Sequence, residues 1–222
     1  MTINARYLVV VVALLAACTT QSPRKVEAPA QTVPPVASLT IRMEYATDRA
    51  AGSVVAWTRQ TRLWMGLVRG AVMGTPDVTL QDYAFSPPQF TLDLEALTPT
   101  ADEHAQPLIM PALARGFRVE PVETRIARVG TYSYDAETGD ALGFSGFIDP
   151  ADRQLLTLIY VDRPCRLYGT IRLEESKVAD LDARASTAGF HWLKINDQDP
   201  AHQRIVLAPP LPEVTHLVVI AQ

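Results

Sequence analysis

Cys165 stands in the run Asp162-Arg163-Pro164-Cys165-Arg166. Guanidinium groups beside a cysteine favour its thiolate, the nucleophilic form. On a strand, Arg163 would share a face with Cys165 and Arg166 would point the other way. A nucleophile also needs a base. His104, His191 and His216 are available, yet no spacing ties any of them to the thiol. The same cysteine also reads as a small apolar side chain buried in a strand, and that is the favoured reading. Two readings of Cys165 therefore stand side by side, a reactive thiol served by Arg163 and Arg166, or a core residue.

Other candidate chemistry is thinner. Gly143-Phe144-Ser145-Gly146-Phe147 has part of the outline of a serine nucleophile elbow, but position 147 is Phe where that motif needs Gly. It also sits in a hairpin rather than a strand-to-helix turn. Glycines relieving crowding or forming a bulge explain the segment better. Asn196-Asp197-Gln198-Asp199-Pro200 offers close oxygen ligands but lacks the Gly and distal Glu of a calcium-binding loop. It reads as a solvated turn. His191, His202 and His216 show no pair at metal-ligand spacing. No phosphate-binding glycine loop or dinucleotide fingerprint occurs. The expectation is a chain without catalytic residues, metal or cofactor.

Binding groups are easier to find. Arg outnumbers Lys 17 to 3, which suits planar recognition of carboxylate or phosphate. Genome composition accounts for the same bias. Tyr132, Tyr134, Phe144, Phe147, Tyr160 and Tyr168 gather in the central part of the chain. Aromatics on a sheet stack on sugars or peptides, or pack across strands in the core, and the second is the commoner use. In Arg59 to Met73, Leu63, Leu67, Val68, Ala71 and Val72 approximate helical spacing, with Arg62 and Arg69 on one side. Gly66, Gly70 and Gly74 would let a second helix approach. This stretch is expected to form a core-facing helix or hairpin, a partner-docking surface, or a membrane-interface element.

The elements that must position these groups are mostly strands. Leu39, Ile41, Met43 and Tyr45 alternate with polar residues, as a half-buried strand does. Ser53 to Trp57, Phe90 to Glu95, Phe117 to Val122 and Arg125 to Tyr134 continue the pattern. Asp135 to Asp140 and Asp149 to Arg153 are turns, and Ala141 to Ile148 lies between them. Gln154 to Asp162 is apolar on both parities and predicts a central strand covered on both faces. Cys165 to Glu174, Phe190 to Ile195, Arg204 to Leu207 and Val214 to Ile220 complete the strands, while Ser176 to Ala185 is read as a second short helix. The predicted fold is mainly β: an antiparallel β-sandwich or open barrel with one or two short helices.

The N-terminus carries an address. Arg6 precedes the apolar run Tyr7 to Leu15, which is too short for a hydrocarbon core of ~30 Å. The sequence Leu15-Ala16-Ala17-Cys18 that follows resembles the lipobox of bacterial lipoproteins. That resemblance covers only the first eighteen residues and implies cleavage before Cys18, a diacylglyceryl thioether on its sulfur and an acylated α-amine. Two or more acyl chains make a lasting anchor. Thr19, where a retention signal would place Asp, implies sorting to an outer membrane, facing the periplasm. The chain then divides into a signal peptide over 1–17, a lipidated cysteine with a Pro-rich tether over 18–38, and a β-rich globular domain over 39–222. The tether would reach ~60 Å at most in polyproline conformation.

Composition closes off several classes. The 222 residues carry a net charge of −4, and 48% are apolar. A disordered chain is excluded, and no basic excess exists for a general nucleic-acid binder. The leading expectation is a membrane-anchored envelope lipoprotein whose β-domain binds or scaffolds another envelope or secretion component without catalysis. The alternatives are an envelope enzyme acting on glycan, cell-wall or thiol substrates, and a carrier of a small ligand or lipid.

Overall fold

The computed structural model describes residues 33–46, 54–55, 61–68, 78–84, 89–107, 116–140, 143–174, 177–196, 199 and 201–220. All described residues lie within one compact unit, residues 32–222. The first described strands are β1 (Ser38–Ala46), β2 (Val54–Val55), β3 (Thr61–Val68), β4 (Val78–Ala84) and β5 (Gln89–Asp93). Helix α1 (Leu94–His104) and strands β6 (Gln106–Pro107), β7 (Phe117–Glu120), β8 (Arg125–Asp135), β9 (Gly143–Ile148) and β10 (Leu155–Val161) follow. The chain ends with β11 (Cys165–Glu174), β12 (Lys177–Ala185), β13 (Gly189–Asn196), β14 (His202–Leu207) and β15 (Glu213–Ile220).

The protein is mainly β. Its strands form one hydrogen-bonded network that is largely antiparallel and does not close into a barrel. The parallel pairings are β1 with β15 and β12 with β14. The main path runs β2-β1-β15-β9-β10-β13-β14-β12-β11-β7.

Strand β10 explains the layering. Leu156, Leu158 and Tyr160 point into one core, which also takes Leu39 and Ile41 of β1, Leu63 and Met65 of β3, and Trp192 of β13. Ile159 and Val161 point the opposite way, into a second core with Val119 of β7, Cys165 and Leu167 of β11, and Leu181 and Ala183 of β12. The path therefore folds back so that β7, β11 and β12 cover one face of β10. The expectation of a central strand buried on both faces is met, and its cause is the unbroken apolar run. In the first core Trp192 meets Phe147 edge-on at 5.2 Å, and Phe190 meets Tyr160 at 5.3 Å. Phe147 and Tyr160 are thus packing aromatics.

The helix assignments need correction. Thr61–Val68 is strand, antiparallel to the next strand β4 and paired also with β8, so of the expected core-facing helix or hairpin it is the hairpin that forms. Leu63, Met65 and Leu67 are buried at a period of two, and this alternation outweighs the helical spacing. Residues 69–73, Arg69 among them, lie outside the described residues. Within the span read as a second helix, Lys177–Ala185 is also strand, paired with β11 and β14. There Ala179, Leu181, Ala183 and Ala185 are buried and alternate with Asp180, Asp182 and Arg184. The one helix among the described residues is α1. Asp93 caps it by accepting from the Ala96 N–H at 3.0 Å. The carbonyl of Ala37 takes the N–H groups of Leu94 and Glu95. The strand expected to run through Glu95 therefore stops at Asp93.

The folded body also begins earlier than expected. Residues 33–37, read as the end of the tether, pack on the body: Val36 is buried in the first core, and its N–H donates to the Phe190 carbonyl at 2.7 Å.

Candidate functional site

Cys165 opens β11 opposite Ala185, with its side chain in the second core and 7% exposed. Burial pushes its thiol up to about 11, and the nearby Asp162 charge adds to that. The arginines do not act on it. Arg163 donates Nε and Nη2 to Asp162 at 3.2 and 3.1 Å, and Nη1 reaches Glu123. Arg166 lies on the opposite face, held by both carboxylate oxygens of Asp182. The structure thus brings Arg163 beside Asp162 rather than beside a thiolate.

Asp162 centres a polar joint. It accepts the backbone N–H of Arg125 at 2.9 Å and its Nε at 3.1 Å. The same guanidinium donates to the Asp102 carbonyl at 2.8 Å and to its carboxylate at 2.7 Å. Tyr160 also donates its hydroxyl to Asp102. Helix α1, the start of β8 and the end of β10 are tied together in this way. Burial alone would raise the Asp162 pKa, but the hydrogen bonds from Arg163 and Arg125 outweigh it and hold the carboxyl below its usual range. Burial and the Asp102 charge push Tyr160 up to about 12. A carboxylate held ionised between two guanidiniums is a structural clamp.

A second clamp closes the β9–β10 turn. Lys194 Nζ stands 2.7 Å from Asp149 and 2.6 Å from Asp152. Arg153, at φ 63°, reaches from that turn to Glu44 of β1 at 2.7 Å.

The outer face of β7, β11, β12 and β14 is where polar side chains converge. Leu167, Leu181 and Val119 point inward, so their strand neighbours point out. Glu120 accepts the Tyr168 hydroxyl at 2.8 Å, and Arg166 stacks over the Tyr168 ring at 5.1 Å from its centroid. Thr170 donates to Asp180 at 2.6 Å, and His202 Nε2 meets the other oxygen of Asp180 at 2.6 Å. These two bonds draw the Asp180 pKa down, Thr170 contributing most. The carboxylate lies between hydroxyl and imidazole, so the imidazole does not contact the hydroxyl as a general base would. Arg118, Arg184 and Arg204 lie on the same face by strand register. Sequence reading missed this surface, although the alternation Asp180-Leu181-Asp182-Ala183-Arg184 encodes one side of it.

The remaining expected residues fall elsewhere. Arg62 is half-buried in β3 opposite Tyr134 and is engaged with other groups. Ser145 pairs with Val218 in mid-strand, away from any strand-to-helix turn. His104 ends α1, and His191 is fully buried in β13. His216 lies in β15 opposite Phe147. Asp199 caps its own turn by accepting the Ala201 N–H at 2.9 Å. No group of three metal-ligating side chains comes together among the described residues. Cys18 lies outside them. No family model, curated protein or solved structure matches this chain.

Proposed function

We propose that this chain is a lipid-anchored protein of the cell envelope whose β-domain binds another envelope component without catalysis. The anchor is Cys18 within Leu15-Ala16-Ala17-Cys18, with an outer membrane facing the periplasm as its site. The observation that carries the binding role is the outer face of β7, β11, β12 and β14. It gathers Tyr168, Arg118, Arg166, Arg184 and Arg204 with Glu120, Asp180 and Asp182 on one pleated surface. Tyr and Arg are the residue types that interfaces concentrate. Val122, 79% exposed, adds an apolar group just past β7. Burial of the Cys165 thiol weakens the thiol-enzyme alternative.

The partner is a protein with both acidic and basic groups at its docking surface. Affinity capture of the tagged chain from detergent-solubilised membranes should recover it in fixed ratio. Capture should be lost in the double variant Arg118→Glu and Arg204→Glu and kept in the off-face variant Glu95→Arg. Recovery of the chain alone, or equal capture by both variants, would overturn the reading.

A further inference from the structure

Residues 33–36 lie as a strap across the start of β13. Val36 bonds the Phe190 carbonyl, and Ser186 Oγ donates to the Val33 carbonyl at 3.2 Å. Pro35 rests on Gly189, where a Cβ would stand 2.8 Å from the Cβ of Pro35. Two of the strap's attachment points are therefore Ser186 and Phe190. Each is the chain neighbour of one member of a single buried contact, in which His191 Nε2 sits 3.0 Å from the Thr187 carbonyl.

A carbonyl only accepts, so Nε2 carries the proton and Nδ1 is a bare acceptor in the neutral ring. His191 is 0% exposed, and Nδ1 has no hydrogen-bond partner among the described residues. Protonation there would bury a charge and an N–H with nothing to receive it. The surroundings make this worse. Across β10, Ile159 stands opposite His191, and Arg128 of β8 stands opposite Ile159 in the same row. Arg128 is a second cation, and its buried Nε also lacks a partner among the described residues. From β11 the second core presents the Cys165 thiol, which stays neutral, and β7, β12 and β14 contribute apolar side chains. Asp162, beyond the end of β10, is already taken by Arg125 and Arg163.

We infer that residues 33–36 and the turn 186–188 form an acid-released strap: charging His191 detaches them from the start of β13 while the sheet stays folded. The ring gains water only when the turn bearing Thr187 lifts, and that turn holds the strap. Burial already keeps the His191 pKa below its ordinary value, with the Thr187 carbonyl working the other way. The closed form thus favours neutral imidazole. The strap is seated at neutral pH and loosens as pH falls below ~6.5. Its closed-to-open ratio drops about tenfold per pH unit from there until the folded-state pKa is reached. On the proposed anchoring at Cys18, release adds four residues, or about 12 Å of reach, between bilayer and body.

Amide hydrogen exchange on the purified full chain in detergent tests this without depending on the anchor. After correction for intrinsic rates, protection of the Val36 amide should fall about tenfold per pH unit below ~6.5. The Leu158 amide of β10 should keep its protection. A pH-independent Val36, or parallel loss at Leu158, would overturn the inference. His191→Gln keeps a donor toward Thr187 and does not titrate, and His191→Phe removes both nitrogens. Either folded variant should abolish the slope at Val36, and retention of the native slope would also overturn it. If neither variant folds, the native profile decides alone.

Discussion

The Asp162 carboxylate takes the backbone N–H of Arg125 at 2.9 Å and its Nε at 3.1 Å, across 37 positions of sequence. Its side chain is 3% exposed. Asp162→Asn keeps the shape and removes the charge that two guanidiniums share. Hydrogen bonds to a charged group contribute about 1.5–3 kcal/mol. The variant should lose about 2 kcal/mol, seen as a lower urea midpoint with unchanged slope.

The same clamps set the acid limit. Burial raises the pKa of Asp149 and Asp162, but hydrogen bonds from Lys194 to the first and from Arg163 and Arg125 to the second bring both below the ordinary value. A carboxyl depressed in the folded state contributes stability that is fully present above its unfolded pKa of ~4 and is lost as pH falls below it. The urea midpoint should therefore drop as pH falls below ~4. The drop should be shallower in the double variant Asp149→Asn and Asp162→Asn.

Gly169 makes a close approach that no other residue type allows. Its φ is +132°, and an added Cβ would stand 1.8 Å from the Gly116 carbonyl oxygen. Gly169→Ala should cost more than about 3 kcal/mol and unseat β7, combining backbone strain with a clash. Gly139→Ala is the control, since nothing lies within 4 Å at φ +75°. It should cost only about 1–2 kcal/mol, as expected for a left-handed residue in open space. Thermal unfolding midpoints of the two variants give the comparison.

Cys165 should be inert toward thiol reagents while the protein is folded. With the thiol pushed up to about 11, the thiolate fraction at pH 8 is about one in a thousand, and burial restricts access as well. In the Cys18→Ser chain, where Cys165 is the only cysteine, a disulfide reagent at pH 8 should give little colour until denaturant is added. Rapid labelling of the native form would restore the reactive-thiol reading.

Cys18→Ser should leave the signal peptide uncleaved at position 18 and prevent radiolabelled fatty acid from being incorporated. The native chain should take up label and remain with membranes after a salt wash, since acyl chains rather than charges hold it. Equal labelling of both forms would remove the anchor.

The strand boundaries show how far local sequence reaches. Cys165–Glu174 was legible to the residue, because a proline and a change of apolar pattern bracket it. The two-faced burial of Leu155–Val161 was equally legible, since a strand apolar on both parities must be covered twice. Thr61–Val68 suggested a helix because Leu63, Gly66 and Leu67 fit two periods, and the choice depended on pairing with β8, distant in sequence. Helix α1 was hidden by Pro99 inside it, although Asp93 and Glu95 carried the capping signal.

At the candidate face the division is sharper. Alternation marks Asp180, Asp182 and Arg184 as one side of a strand, but Glu120, Tyr168 and His202 join them only through pairing with β7 and β14. The sequence by itself determined the mainly β class and the doubly buried strand, since each depends on residues adjacent in the chain. The tertiary structure alone decided that Arg125 serves Asp162, that the thiol is buried and that Val36 belongs to the core. Those facts depend on distances between segments far apart in sequence, which no local period encodes.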